Sequence, residues 1–500
     1  MAKKEIKLQY SGAVIFAAKL ISVITGMVFT LLVTRNATKE QYGVWTNVFD
    51  ILAYFALLAS VLPFWATRYV ARGEKGAAKT GIVANFLISL ASMAIYLPLV
   101  PLITLLWGIS GRHPDLVVLY FIAALQIVNV YLINALEAVL RSQRPQAVGY
   151  GLLLEEVCKV TLAFVTIVVL NQLLVGAMIS LITATAIQVV YYLGLVSEDF
   201  KEKIRWDYAR EWLKGSIVNI YAVVGIQLSA AIFLLLFSFG GEAAKGDYGA
   251  AMAIANIITY SFFLSFALYP KLLAENSLKE ITTSLKMVLM FAIPMAAGAM
   301  AIPESFLTIL AEPYREAAPV LFFLAIDSVV VTLTNFFTFV VFGVEKIDEK
   351  SKIPLKRLAK SNIFKVSSLS YVHSAISLPT AFYLLTTLKF AQPYEAAICV
   401  TIINLIARLA MFLILCAIAR KTLTIHVPWV SIAKYVLCAA LMGISLYLLP
   451  HPDRITTTLA TAVAGGLAYF ALLMLIDKDS RALIKYGLEE IRTSLKPSSD

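Results

Sequence analysis

The chain has 500 residues, 60% of them hydrophobic and 15% charged, with a formal net charge of +11 and a mean hydropathy of +0.82. That much apolar surface cannot be buried inside a soluble domain, so a soluble globular protein is excluded. The basic excess suits anionic lipid headgroups, and no base-stacking aromatic pattern accompanies it to suggest nucleic acid.

From Ser11 onward, stretches of about twenty apolar residues alternate with short polar connections. They lie near 11–33, 42–64, 82–107, 116–139, 147–170, 173–196, 215–238, 250–270, 284–309, 317–343, 367–388, 393–419, 429–449 and 455–476. A helix rising about 1.5 Å per residue crosses about 30 Å of hydrocarbon in that length. The sequence therefore predicts an all-α polytopic membrane protein of about 14 transmembrane helices. The first span has a basic leader, but it is too long for a signal-peptide core and no small-residue cleavage site follows, so it is expected to remain as a helix. Cys158, Cys399, Cys416 and Cys438 all fall within spans, without CxxC spacing, and read as packing residues with no metal.

The connections give the orientation. With both termini in the cytoplasm, 30 of the 42 Lys and Arg residues fall on the inner side, 7 on the outer side and 5 inside spans. The opposite topology would break the positive-inside rule at almost every loop. Lys3, Lys4 and Lys7 open the inner set. Arg68, Arg72, Lys75 and Lys79 follow span two, and Lys201, Lys203, Arg205, Arg210 and Lys214 follow span six. A multi-pass protein of the cell membrane with cytoplasmic termini is expected. The longest inner connection, residues 345–365, carries seven basic and three acidic residues, with Leu355, Leu358 and Ile363 at near-helical spacing. It reads equally as an amphipathic helix on the membrane and as a solvated basic linker.

A repeat divides the chain. Lys39-Glu40-Gln41-Tyr42-Gly43 matches Lys245-Gly246-Asp247-Tyr248-Gly249, and Asp50-Ile51 matches Asn256-Ile257, at a constant offset of 206 residues. Both segments enter the membrane from outside. Six spans apart and running the same way, they imply two six-helix bundles related by a pseudo-two-fold axis along the membrane normal. The expected parts are an N-terminal bundle 1–214, a C-terminal bundle 215–420 that includes the linker 345–365, and a final segment 421–500 with two further helices.

Ionisable residues inside spans cost about 2.5–3.5 kcal/mol each on insertion scales, so each should face a partner or a wet cavity. Span one holds Lys19, span two Asp50, span five Glu155, Glu156 and Lys159, span ten Asp327 and span twelve Arg408. Lys434 and Glu137 lie near inner span ends and read as snorkelling residues. Lys19 and Glu155 each lie eight residues into their spans, at the same depth, and can pair across helices. The alternative for Glu155 is Lys159, four residues along the same helix. Glu156 points about 100° away from Glu155 and reads as the spare carboxylate. Asp327 and Arg408 lie near mid-membrane and can pair. These groups either form structural ion pairs or line a polar cavity. In a cavity Lys19, Lys159 and Arg408 would hold an anion, above all phosphate, and Asp50, Glu155, Glu156 and Asp327 would exchange a proton or sodium ion.

At this level of detail the chain resembles a known family. The run Thr34-Arg35-Asn36-Ala37-Thr38-Lys39-Glu40-Gln41-Tyr42-Gly43 between spans one and two resembles the corresponding turn of Wzx-type polysaccharide flippases. These belong to the multidrug/oligosaccharidyl-lipid/polysaccharide exporter superfamily. Tyr248-Gly249, Pro270-Lys271, Pro294 and the segment Tyr314-Arg315-Glu316-Ala317-Ala318-Pro319-Val320-Leu321 occupy similar places. Where the family has a Gly before the Tyr of the span-ten turn, this chain has Ala311-Glu312-Pro313, which puts that turn in question. The resemblance implies two lobes around a cavity that opens alternately to either side, and translocation of a polyprenyl-(pyro)phosphate-linked oligosaccharide. By helix position only Lys19 carries over as a headgroup-binding residue. Alternatives are a multidrug or cation antiporter, a peptidoglycan-precursor lipid flippase and, less well supported, a membrane-embedded glycosyltransferase or polymerase.

The expected partners are a lipid-linked sugar and membrane lipid, with no cofactor beyond a possible H+ or Na+. No GxxxxGK[ST] loop is present for ATP, and the outer loops lack the acidic or His-rich character that an enzyme would need. His113, His373, His426 and His451 are scattered without ligand spacing. The sequon Asn36-Ala37-Thr38 hugs the membrane, which disfavours glycosylation.

Overall fold

The computed structural model describes residues 8–265, 278–344, 361–422 and 427–482. Its helices are α1 (Leu8–Asn36), α2 (Lys39–Phe55), α3 (Val61–Ala71), α4 (Ala77–Leu106), α5 (Val117–Gln143), α6 (Pro145–Ala163), α7 (Leu173–Leu195), α8 (Trp206–Gly215) and α9 (Ile217–Leu235). They continue as α10 (Glu242–Thr259), α11 (Leu278–Ala301), α12 (Pro303–Leu310), α13 (Ala318–Val344), α14 (Asn362–Thr387), α15 (Pro393–Thr422), α16 (Trp429–Leu448) and α17 (Ile455–Ile476).

Every expected span coincides with helix over its described residues; 266–270 of span eight lie outside them. Among the described residues ten helices are long and apolar enough to cross a membrane, and an eleventh if α2 and α3, bent by 54°, form one span. The chain is a multi-pass membrane protein. Spans five and eleven fall outside that count for physical reasons, and span one because only Ile21–Asn36 of α1 enters it. In α6 the three charges Glu155, Glu156 and Lys159 interrupt the apolar run, and in α14 a series of serines together with Lys365 and His373 lowers the hydropathy. Most of the basic linker, 345–360, lies outside the described residues, while Ile363 belongs to α14.

Helix boundaries follow local chemistry. Thr38 caps α2 with a full capping box: its hydroxyl accepts from the Gln41 amide, and the Gln41 side chain accepts from the Thr38 amide. That role occupies the third residue of the sequon. The two-residue turn at Asn171-Gln172 is made by Asn171 at φ 52°, left-handed geometry that asparagine tolerates better than most residues. At Ala311-Glu312-Pro313 the chain is extended at Ala311 and then enters a 3-10 turn, Glu312–Ala317. Extended backbone suits alanine, so the turn needs no glycine.

The chain forms two compact units: Met1–Gly249 with Ser377–Ala397, and Ala250–Ile376 with Ile398–Asp500. In the first, α1 lies along α6, and α5 and α7 enclose a core of Leu136, Val139, Leu140 and Tyr192. The Tyr192 hydroxyl donates to the Val148 carbonyl at 2.9 Å, tying α7 to α6. In the amphipathic α8, Trp212 is buried against Leu62 and Ala66 of α3 while Trp206 and Leu213 stay exposed. In the second unit α11 packs on α16, with Leu289, Tyr435, Cys438 and Met442 in the shared core. The Tyr469 hydroxyl of α17 donates to the Met290 carbonyl at 3.0 Å.

Candidate functional site

Three groups of charged side chains lie on or beside the candidate membrane-spanning helices. The first is on α6. Its i,i+3 and i,i+4 spacing gathers Glu155, Glu156 and Lys159 on one stretch of helix, where all three are buried. Lys159 Nζ is 2.8 Å from Glu156 and 3.5 Å from Glu155. From α1, the hydroxyls of Ser22 and Thr25 each donate to Glu156 at 2.6 Å, and the Phe29 ring lies 5.9 Å from the Lys159 ammonium.

This arrangement corrects two expectations. Glu156 is the most tightly held carboxylate of the group, because α1 packs against the side of α6 that carries it. Lys19 and Glu155 do not pair. Lys19 is exposed and makes no ion pair among the described residues, although its charge is felt at Glu155. Equal depth alone does not make a pair, because the two side chains must also face each other across the helices.

The second group joins α13, α14 and α15. Arg408 Nε donates to Asp327 at 2.8 Å, so the expected pair is present, and Asn404 donates to the other carboxylate oxygen at 3.4 Å. Asp327 is 2% exposed and Arg408 about one-fifth exposed. The other guanidinium nitrogens of Arg408 have no hydrogen-bond partner among the described residues and remain as donors. His373, buried on α14, sits against Asn404 and close to Arg408. The sequence reading missed it, because histidines were weighed as metal ligands; its position one and a half turns into an apolar span was the available signal.

The third group is where the repeat motifs meet. A Cβ on Gly43 would collide with the Glu242 carbonyl, and one on Gly246 with the Lys39 carbonyl, so α2 and α10 touch backbone to backbone. Around this crossing Lys39 pairs with Asp247 at 3.1 Å, and Lys245, 3% exposed, pairs with Asp50. Glu242 accepts from Arg112 at 3.0 Å and lies 3.0 Å from His113 Nε2. Asp50 is therefore bound to a lysine that the sequence reading had placed in a connection. The repeat itself was the overlooked clue, since matched motifs that enter from one side can pack on each other.

At span ends Glu137 pairs with Arg141 at 2.6 Å, and Lys434 with Asp477 at 2.8 Å. All four cysteines are free thiols. Among the described residues no group of three His, Cys, Asp or Glu side chains could hold a metal ion.

These features define an all-helical multi-pass membrane protein with internally matched charges on and beside its spanning helices. No protein-family model matches the chain, and no curated protein matches it. Solved structures do. The chain is similar to the lipid II flippase MurJ in an inward closed conformation, at a TM-score of 0.67 and 15% identity, over 94% of this chain and 99% of that one. It is similar to an inward-facing multidrug resistance MATE family transporter of the MOP superfamily, at a TM-score of 0.58 and 14% identity, over 80% and 96%. A MATE structure in complex with MaL6 gives 0.57 and 14%, over 83% and 96%. The chain thus has the fold found in MurJ and in MATE transporters.

Proposed function

We propose that this chain is a flippase that carries a polyprenyl-(pyro)phosphate-linked oligosaccharide from the inner to the outer leaflet by alternating access between two six-helix lobes, 1–214 and 215–420. The observation that carries the reading is the reach of the fold likeness: MurJ matches 94% of this chain, whereas the MATE structures leave about a fifth of it without counterpart. In this reading the protein is not an enzyme, both termini are cytoplasmic, and the membrane is the cell membrane.

The charges support an anionic cargo. Each buried carboxylate already faces an internal cation, while the Lys19 ammonium and the outer guanidinium nitrogens of Arg408 remain available. A cation within an apolar helix is costly to keep unless water or an anionic ligand meets it. Lys19 and Arg408 would hold the phosphate, and Lys159 would chiefly keep Glu155 and Glu156 neutralised. If transport is driven by H+ or Na+, Glu156 is the carboxylate through which uptake would loosen α1 from α6.

The test uses the full chain in vesicles with a fluorescent lipid-linked sugar on one face. Lys19→Ala should abolish translocation while leaving abundance and melting temperature near those of the wild type. Unchanged translocation would overturn the assignment. The likeness to MATE transporters favours drug antiport as the second reading, and drug efflux by vesicles that move no lipid-linked sugar would establish it instead.

A further inference from the structure

At one end of the second unit, where α11 and α16 begin and α17 ends, the surface opens into a cavity of about 640 Å³. The positive-inside distribution puts this end in the cytoplasm. Its charged lining is Lys286, Lys434, Lys478, Asp477 and Asp479, and the exposed Trp429 stands beside them. Two of the lysines are matched: Lys286 to Asp479 and Lys434 to Asp477, each at 2.8 Å. Lys478 is exposed and makes no ion pair or hydrogen bond among the described residues. Among the described lining residues three lysines thus face two carboxylates, a net charge of +1.

Its surroundings are those of a lipid. Trp429 is 68% exposed and Val430 71%, and below them Leu437 and Leu441 on α16 and Leu475 on α17 are also exposed. An indole beside lysines, with bare apolar helix faces leading away into the hydrocarbon, is the layout of a membrane interface. A phosphodiester carrying a single negative charge neutralises the cavity. A headgroup that also bears an ammonium restores the excess.

We propose that this cavity is a binding site for an anionic membrane phospholipid. Its phosphodiester is met by Lys478 beside the two matched lysines, its glycerol region lies against Trp429, and its acyl chains run along α16 and α17. The site does not depend on the flippase reading, and its test does not use transport.

The delipidated full chain in detergent is titrated with phosphatidylglycerol or with phosphatidylethanolamine of identical acyl chains, and bound lipid is counted by native mass spectrometry. Phosphatidylglycerol should bind about fivefold more tightly, the effect of one basic residue near the membrane surface. Lys478→Ala should remove that preference, Lys478→Glu should reverse it, and Lys478→Arg should keep it, all with unchanged melting temperature. Inorganic phosphate at millimolar concentration should not displace the lipid. Equal binding of the two lipids, an unaltered preference in Lys478→Glu, or displacement by phosphate would each overturn the proposal.

Discussion

The charges on α6 and the pair between α13 and α15 answer the same problem in different ways. On α6 the partners lie within five residues of sequence, two carboxylates share one ammonium, and hydroxyls from α1 satisfy Glu156 further. Between α13 and α15 one carboxylate faces one guanidinium across 81 residues of chain, with Asn404 as the single additional donor to the carboxylate among the described residues. The first arrangement is redundant in its carboxylates, so losing one of them redistributes its bonds. The second is not: losing Arg408 leaves Asp327 buried as an orphan charge.

The largest expected effect follows from that contrast. Arg408→Leu should destabilise the protein by about 3–5 kcal/mol, the penalty for breaking a buried ion pair from one side. Adding Asp327→Leu should recover most of the loss, because two apolar side chains need no partner. Thermal unfolding in detergent measures both; a double variant no more stable than the single one would mean that the pair is not what the leucine disrupts.

Glu156→Gln tests the redundant side. Its amide can still meet Ser22 and Thr25, and Glu155 remains for Lys159, so about 1.5 kcal/mol should be lost, the low end for bonds to a charged group. A loss as large as that of Arg408→Leu would erase the distinction between the two regions.

Smaller still is the effect at Asp477, which lies beyond the end of α17. Burial by itself would raise its carboxyl, but donation by Lys434, by the Ser480 hydroxyl and by the Ser480 amide holds it below the ordinary Asp range. Asp477→Ala should cost about 1 kcal/mol at neutral pH, as for loss of a helix cap. A carboxyl depressed in the folded state contributes its stability above the unfolded value of about 3.9 and loses it as pH falls through the folded value. The gap between wild type and variant should therefore be constant at neutral pH and close below about pH 4. A gap that widens in acid would contradict the bonding at Asp477.

Orientation is tested without any energetic effect. In a cysteine-free background, Ser110→Cys and Gln392→Cys should react with an impermeant reagent added outside, and Lys75→Cys and Lys214→Cys should not. All four positions are exposed. Gly246 is unsuitable for such labelling, because any Cβ there meets the Lys39 backbone.

Much of the architecture was legible in the amino-acid sequence because it depends on one dimension. Helical rise converts residue count into depth, so the spans and the approximate level of Lys19, Glu155, Asp327 and Arg408 follow from position alone. Capping chemistry at Thr38 is equally local. Partner choice is not, because it depends on which face each helix turns and on which helix lies beside it. Tertiary packing alone decided that Glu156 meets Ser22 and Thr25, that Lys19 stays exposed, and that Lys245 reaches Asp50 across the glycine contact of α2 and α10. Depth is set along a single chain by covalent geometry; pairing requires the angular settings of two helices, which no spacing within either one contains.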